Sequence, residues 1–153
     1  KDFGLAYAKS QISSGNSLPT RGLAFISLQD KHKKEGIDLA KKLVKLNFTL
    51  CGTEGTANAI KKNGIKCKKV NKVSGGSPHI VDILNAKKIA LVINTGGGKR
   101  AYRVQDSTSL RRATLINKVP YCTNMSTAYA CLKGIKSLKS KKMNVIAIQN
   151  IFH

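Results

Sequence analysis

Phe48-Thr49-Leu50-Cys51-Gly52-Thr53-Glu54-Gly55-Thr56 and Ile89-Ala90-Leu91-Val92-Ile93-Asn94-Thr95-Gly96-Gly97-Gly98-Lys99-Arg100 share one design: an apolar run that stops at a glycine–threonine loop. Glycine lets backbone N–H groups approach an anion with no Cβ in the way, and threonine adds a hydroxyl donor. A helix starting at such a loop contributes unpaired N–H groups and the positive end of its dipole. Two such loops on neighbouring parallel strands form one crevice for a phosphorylated small molecule.

Outward from these loops, short apolar runs alternate with helical periods, the pattern of an α/β fold with a mainly parallel sheet. Residues 23–28 are predicted as the first core strand. Asp30 is placed to cap a helix with the stripe Ile37, Ala40, Leu43 and Val44. Residues 48–51 form the second strand, followed from about Thr56 by a helix carrying Ala59 and Ile60 that stops at Asn63-Gly64. Residues 65–70 give a third strand. Pro78 fits the first turn of a helix with Ile80, Val81, Ile83 and Leu84. Residues 89–93, apolar on both faces, read as the central strand. Ser107 or Thr108 opens a helix through Leu110, Ala113, Leu115 and Ile116, and residues 119–122 make a short strand. Ser126 or Thr127 begins a long helix with Ala128, Cys131, Leu132 and Ile135. Residues 143–148 read as a final edge strand, parallel or antiparallel. Near the start, residues 3–12 form a short amphipathic helix with Phe3, Tyr7 and Ile12 on one side, then a polar stretch over 13–19. Residues 1–20 are therefore read as a connecting helix and linker from a preceding domain, and 21–153 as one α/β domain.

At 153 residues and 41% hydrophobic content the chain buries a real core, although it holds 28 basic against 7 acidic residues. The net charge of +21 points to anionic partners. The lysines are spread along the chain, as in Lys41-Lys42, Lys61-Lys62, Lys68-Lys69, Lys87-Lys88 and Lys141-Lys142. Aromatic content is 5% with no Trp, so stacking platforms for single-stranded nucleic acid are lacking. A basic nucleic-acid-binding module is the lesser alternative. No apolar stretch spans a bilayer and no signal peptide opens the chain, so a cytoplasmic protein without a membrane partner is expected. The four cysteines, Cys51, Cys67, Cys122 and Cys131, are far apart in sequence and make no C-x-x-C pair. Buried free thiols, and no metal, are expected.

No catalytic set emerges. Asp82 and Asp106 have structural places, on a helix face and at a helix start, and His32, His79 and His153 join no nucleophile. Binding groups are richer. Lys31, His32, Lys33 and Lys34 stand where a helix begins, against its dipole. Two readings stay open, an unoptimised surface turn or a bound anion that offsets the repulsion. Lys72 follows the third strand and closes over the same crevice. His79, beside Gly75-Gly76-Ser77, is a ligand contact or a surface group, and Arg111-Arg112 is a solvated pair or holds the loop after the fourth strand.

Gly52-Thr53-Glu54-Gly55-Thr56-Ala57, Val70-Asn71-Lys72-Val73, Pro78-His79-Ile80, Val92-Ile93-Asn94-Thr95 and Leu110-Arg111-Arg112-Ala113 resemble, in this order, the methylglyoxal-synthase-like fold. More closely, the chain resembles the C-terminal allosteric domain of the large chain of glutamine-hydrolysing carbamoyl-phosphate synthase. Residues 3–11 are similar to the segment by which that enzyme's second ATP-using half enters the allosteric domain. The resemblance implies a three-layer, mainly parallel five-stranded sheet and a nucleotide effector, UMP or IMP. It implies nucleotide contacts from Lys33, Thr53, Thr56, Lys72, Asn94 and Thr95, with Gly96 beside them. Further effector contacts would come from His79, Arg111, Arg112, Tyr121 and Thr123. It implies no cofactor in this segment, since ATP and Mg or Mn belong to the parent enzyme's other domains. The implied partners are the preceding synthase domains and the glutaminase small chain, in pyrimidine and arginine synthesis. Departures narrow the ligand. Tyr121-Cys122-Thr123 stands where bacterial relatives use Tyr-Asp-Thr for ornithine, so ornithine is not expected. Lys72 replaces the tryptophan of N-acetylglutamate sensors and favours phosphate. Methylglyoxal synthesis from dihydroxyacetone phosphate is the enzymatic alternative, but Ser77 falls where that lyase has its aspartate base.

Overall fold

In the computed structural model, which describes residues 2–96 and 101–140, helix α1 (Phe3–Ser13) leads into strand β1 (Gly22–Ser27). A 3-10 turn (Asp30–His32) runs on into α2 (Lys33–Lys45). Then follow β2 (Phe48–Gly52), α3 (Glu54–Lys62), β3 (Lys68–Lys69), a second 3-10 turn (Val73–Gly75) and α4 (Ile80–Asn85). The chain continues through β4 (Leu91–Asn94), α5 (Ala101–Ile116), β5 (Tyr121–Cys122) and α6 (Met125–Ser140). The loop 97–100 and the strand predicted over 143–148 lie outside the described residues.

The five strands lie in the order β3-β2-β1-β4-β5, and every pairing is parallel. The chain builds outward from β1 to β3, then returns to the other side of β1 at β4. This reversal opens a crevice at the carboxyl ends of β1 and β4, where Ser27 pairs with Asn94 in register.

The strands are apolar on both faces because helices cover both. Ala24, Ile26, Leu50, Leu91 and Ile93 pack on one side with Leu39, Leu43, Ile60 and Ile135 from α2, α3 and α6. Phe25, Cys51 and Val92 face the other side, against Ile80 and Leu84 of α4 and Leu110 and Ala113 of α5. The expected three-layer α/β fold is therefore formed, and residues 23–28, 48–51 and 89–93 fall on its three inner strands.

The boundaries differ where packing overrides local pattern. The third strand shrinks from 65–70 to Lys68–Lys69, an edge pairing with Cys51 and Gly52 only. Helix α3 starts at Glu54, with Thr53 as its N-cap residue, rather than near Thr56. Helix α5 starts at Ala101, six residues before the expected Ser107, so Asp106 lies inside it and not at its start. Its buried face is Leu110, Ala113 and Thr114, while Leu115 and Ile116 are exposed. In α2 the buried stripe is Gly36, Leu39, Ala40 and Leu43. Val44 is exposed because one residue past Leu43 turns about 100° outward. Pro78 precedes α4 instead of occupying its first turn, and His79 is the N-cap residue. Asp30 forms an ion pair with Lys33 at 2.6 Å in place of the expected helix cap.

Helix α1 keeps Tyr7 against the core but turns Phe3 and Ile12 outward. Phe3 is 61% exposed, whereas Gly4 and Ala8 are buried. The reason is backbone proximity: a Cβ on Gly4 would lie 2.5 Å from Lys133 O of α6. Only a glycine lets the two helices come so close.

Candidate functional site

A cavity of about 930 Å³ opens at the reversal of strand order, beneath the loops that leave β1, β2, β3 and β4. Its floor is polar yet buried. Ser27, Thr53, Thr56 and Asn94 are all nearly closed to solvent, and all four line the cavity. Such groups are costly to bury without partners, and here Thr53 bonds both Ser27 and Thr56 while Asn94 is held by Tyr121 and Gly96. Thr53 Oγ1 lies 3.4 Å from Ser27 Oγ and 3.3 Å from Thr56 Oγ1. Leu28 N donates to Thr56 Oγ1 at 3.0 Å, which ties the loop after β1 to α3.

The start of α3 forms one wall. Gly52 closes β2 against β1 so tightly that a Cβ there would lie 2.5 Å from Ile26 O. Thr53 then turns the chain into α3, whose regular bonding begins with Ala57 N to Thr53 O at 2.7 Å. The N–H groups of the turn before Ala57 have no intrahelical acceptor. A Cβ on Gly55 would come within 3.5 Å of Lys33 Nζ, so the ammonium of Lys33 stands over this helix start. Thr53, Gly55, Thr56 and Lys33 thus converge on one point suited to an anion.

Lys31, Lys33, Lys69 and Lys72 reach the cavity, together with the acids Asp30, Glu54 and Asp106. Lys33 pairs with Asp30 at 2.6 Å and Lys69 with Glu54 at 2.7 Å. The hydrogen bond from Lys69, followed by its charge, holds the Glu54 carboxyl below the usual range. Lys31 and Lys72 pair with no acid among the described residues. At the cationic start of α2, Asp30 pairs with Lys33 and Glu35 lies in the helix's first turn, both easing the repulsion there.

Asn94 ends β4 with both sides of its amide engaged. Its Nδ2 donates to Tyr121 OH at 3.1 Å, and its Oδ1 accepts from Gly96 N at 3.1 Å. Thr95 turns away from the cavity. Its hydroxyl accepts from Gln29 N at 3.2 Å and lies 3.0 Å from His32 Nδ1. Thr95 therefore fastens the loop after β1 to the loop after β4.

The remaining candidates lie apart. His79 is held at the start of α4 with Nδ1 3.3 Å from Asp82 Oδ2, and it does not line the cavity. Arg111 stacks 5.8 Å over the Tyr121 ring on an exposed face. Arg112 and Thr123 are exposed and outside the lining. Lys33, Thr53, Thr56, Lys72, Asn94 and Gly96 are thus brought together, whereas Thr95, His79, Arg111, Arg112 and Thr123 are not.

Some lining residues escaped sequence reading. Asp106 accepts from Ser74 N at 3.0 Å and from Ser74 Oγ at 2.7 Å, strapping the turn Val73–Gly75 across the cavity mouth. Nothing local to either residue announces a contact 32 positions away. Ser27 and Lys69 carried a weak signal, since each stands at the carboxyl end of a strand.

The hydroxyls, amides and ammonium groups that line the cavity suit the binding of an anion. Burial pushes the thiol of Cys51, within β2, up to about 12, so it stays protonated. No cluster of metal-ligating groups occurs among the described residues. No described helix is long and apolar enough to cross a membrane.

Comparison with known proteins shows the family and the fold. The sequence model of the MGS-like domain family matches residues 35–123. The chain is 42% identical over 152 residues to the carbamoyl phosphate synthase large chain of Mesorhizobium japonicum, covering 99% of this chain and 13% of that one. It is 42% identical over 158 residues to the C-terminal section of the corresponding large chain of Aquifex aeolicus, covering 100% of this chain and 29% of that one. The chain therefore spans 13% and 29% of the length of these two curated relatives. Among solved structures, methylglyoxal synthase from Elizabethkingia anophelis shares the fold with a TM-score of 0.56 and 19% identity, over 75% of this chain and 79% of that one.

Proposed function

Because the chain belongs to the MGS-like domain family, we propose that it is the regulatory, nucleotide-binding C-terminal section of a carbamoyl phosphate synthase large chain. Its ligand is a nucleoside monophosphate, UMP or IMP, and the carbamoyl phosphate chemistry belongs to the rest of that large chain. The observation that carries this reading is the convergence of Lys33, Thr53, Gly55 and Thr56 at the start of α3, inside a cavity large enough for a nucleotide. The phosphate takes the helix-start N–H groups, the threonine hydroxyls and the Lys33 ammonium, which it draws from Asp30. Lys72 approaches from the loop after β3. Asn94 and the polar rim are left for ribose and base.

A ligand bound here regulates the synthase only as far as it binds one state of the whole chain more tightly than another. Lyase chemistry of the methylglyoxal synthase kind is not supported. It requires a carboxylate base, and in the cavity Asp30 and Glu54 hold lysines while Asp106 holds Ser74.

Calorimetric titration of the chain with UMP and with IMP tests the proposal. Micromolar binding of at least one is expected. Charge-assisted hydrogen bonds contribute about 1.5–3 kcal/mol each, so Lys33→Ala and Lys72→Ala should each weaken binding by roughly 10- to 150-fold. No binding of either nucleotide, or an affinity unchanged from the parent chain in both variants, overturns the reading.

A further inference from the structure

Away from the cavity, the fold joins two cysteines that are nine residues apart in sequence. Cys122 ends β5 and Cys131 lies in the second turn of α6, and their Sγ atoms stand 3.4 Å apart. Both are closed to solvent, at 1% and 3% exposure. Tyr7 of α1 completes the cluster with its hydroxyl 3.5 Å from Cys131 Sγ. The expected buried free thiols are found, and two of them meet. A disulfide bond is about 2.05 Å long, so a small rotation of the two side chains would close the gap.

We propose that Cys122 and Cys131 are a redox-active pair that a peroxide converts, within the folded chain, into an intrachain disulfide. Cys131 is the attacking sulfur. The hydrogen bond from the Cys122 thiol lowers the Cys131 thiol, against the cost of burial, and the Tyr7 hydroxyl adds to the lowering. The same hydrogen bond and burial raise Cys122.

The Cys131 thiolate attacks one peroxide oxygen, the O–O bond breaks and hydroxide leaves, giving a sulfenic acid. The Cys122 sulfur then attacks the sulfenic sulfur. The S–O bond breaks, and the departing oxygen takes the Cys122 proton and leaves as water. In sum, two thiols lose two electrons and two protons, and one hydrogen peroxide becomes two waters. A peroxide is small enough to reach a buried sulfur that larger disulfide oxidants reach poorly. The new bond ties the end of β5 to α6, one residue from Tyr121, the hydroxyl that receives Asn94 Nδ2.

One tryptic peptide reports the outcome, because residues 119–133 hold both cysteines and no internal Lys or Arg before Lys133. The folded chain is treated with hydrogen peroxide, quenched with catalase, denatured, alkylated and digested. The peptide is expected lighter by two hydrogens and free of alkyl groups, and it should accept an alkyl group on each cysteine after dithiothreitol. Cys51 and Cys67, whose thiols burial pushes up to about 12 and about 11, should remain alkylated in the same digest. Alkylation of both Cys122 and Cys131 in the oxidised sample would overturn the proposal. So would sulfinic or sulfonic acid on either sulfur without an internal bond. In Cys131→Ser, Cys122 is expected to stay alkylatable; a sulfenic acid trapped on Cys122 at an undiminished rate would refute Cys131 as the attacking group.

Discussion

Gly52 sets the floor of the cavity by what it lacks. With Ile26 O only 2.5 Å from where its Cβ would stand, β1 and β2 keep their approach only with a bare backbone at this position. Gly52→Ala is expected to lower unfolding stability by about 1–3 kcal/mol, the usual cost of overpacking. A urea midpoint shifted down with an unchanged slope is the signature, and an unshifted midpoint would mean that the strands part at no cost. Thr53 and Thr56 show how much of a residue's role its neighbours decide. Both were legible as site residues, because threonines flanking a glycine after an apolar run suit an anion. That Thr56 also carries Leu28 N, and so supports the opposite wall, was not legible from any local pattern. Thr95 is the opposite case. Its motif matches a binding loop, yet its hydroxyl faces Gln29 and His32 because the loop after β1 bends toward it.

At the level of elements, the inner strands were readable because burial on both faces demands an unbroken apolar run, which is a local property. The helices were read less well. In α5 residues 105–109 are all polar, so no hydrophobic stripe led back to the start at Ala101. In α1 the face that packs centres on the smallest side chains, Gly4 and Ala8, with Tyr7 half-buried beside them and Phe3 turned out. The turn Val73–Gly75 depends on a distant partner in the same way, since Asp106 of α5 alone receives both Ser74 N and Ser74 Oγ. Asp106→Ala should release this strap. Hydrogen exchange over residues 73–76 is expected to speed up, and affinity for the proposed nucleotide to fall several-fold, while the amides of β1 and β4 keep their protection. Unchanged exchange over 73–76 would show that the strap holds nothing.

The whole molecule carries a charge of +21, with 28 basic residues set against 7 acidic ones. Seven acids cannot compensate 28 bases, even where pairs form as in Lys42 with Asp38 and Lys69 with Glu54, so mutual repulsion is left uncompensated. Salt screens such repulsion within about 10 Å at 0.1 M. The melting temperature is therefore expected to rise by several degrees between 20 mM and 500 mM sodium chloride, contrary to a protein held together by surface ion pairs. A melting temperature that falls with salt would show that attractive pairs dominate.

By itself the sequence determined that apolar runs alternate with helical periods, that the inner strands are covered on both sides, and that glycine–threonine loops close two of them. These are properties of neighbouring residues, written in period and composition. Only the tertiary structure decided that Lys33 stands over the start of α3, that Thr95 turns to the loop after β1, that Asp106 holds Ser74, and that Cys122 meets Cys131. Each of these joins positions distant along the chain, and the direction of a side chain at a loop is set by whichever remote segment the packing of the layers brings against it.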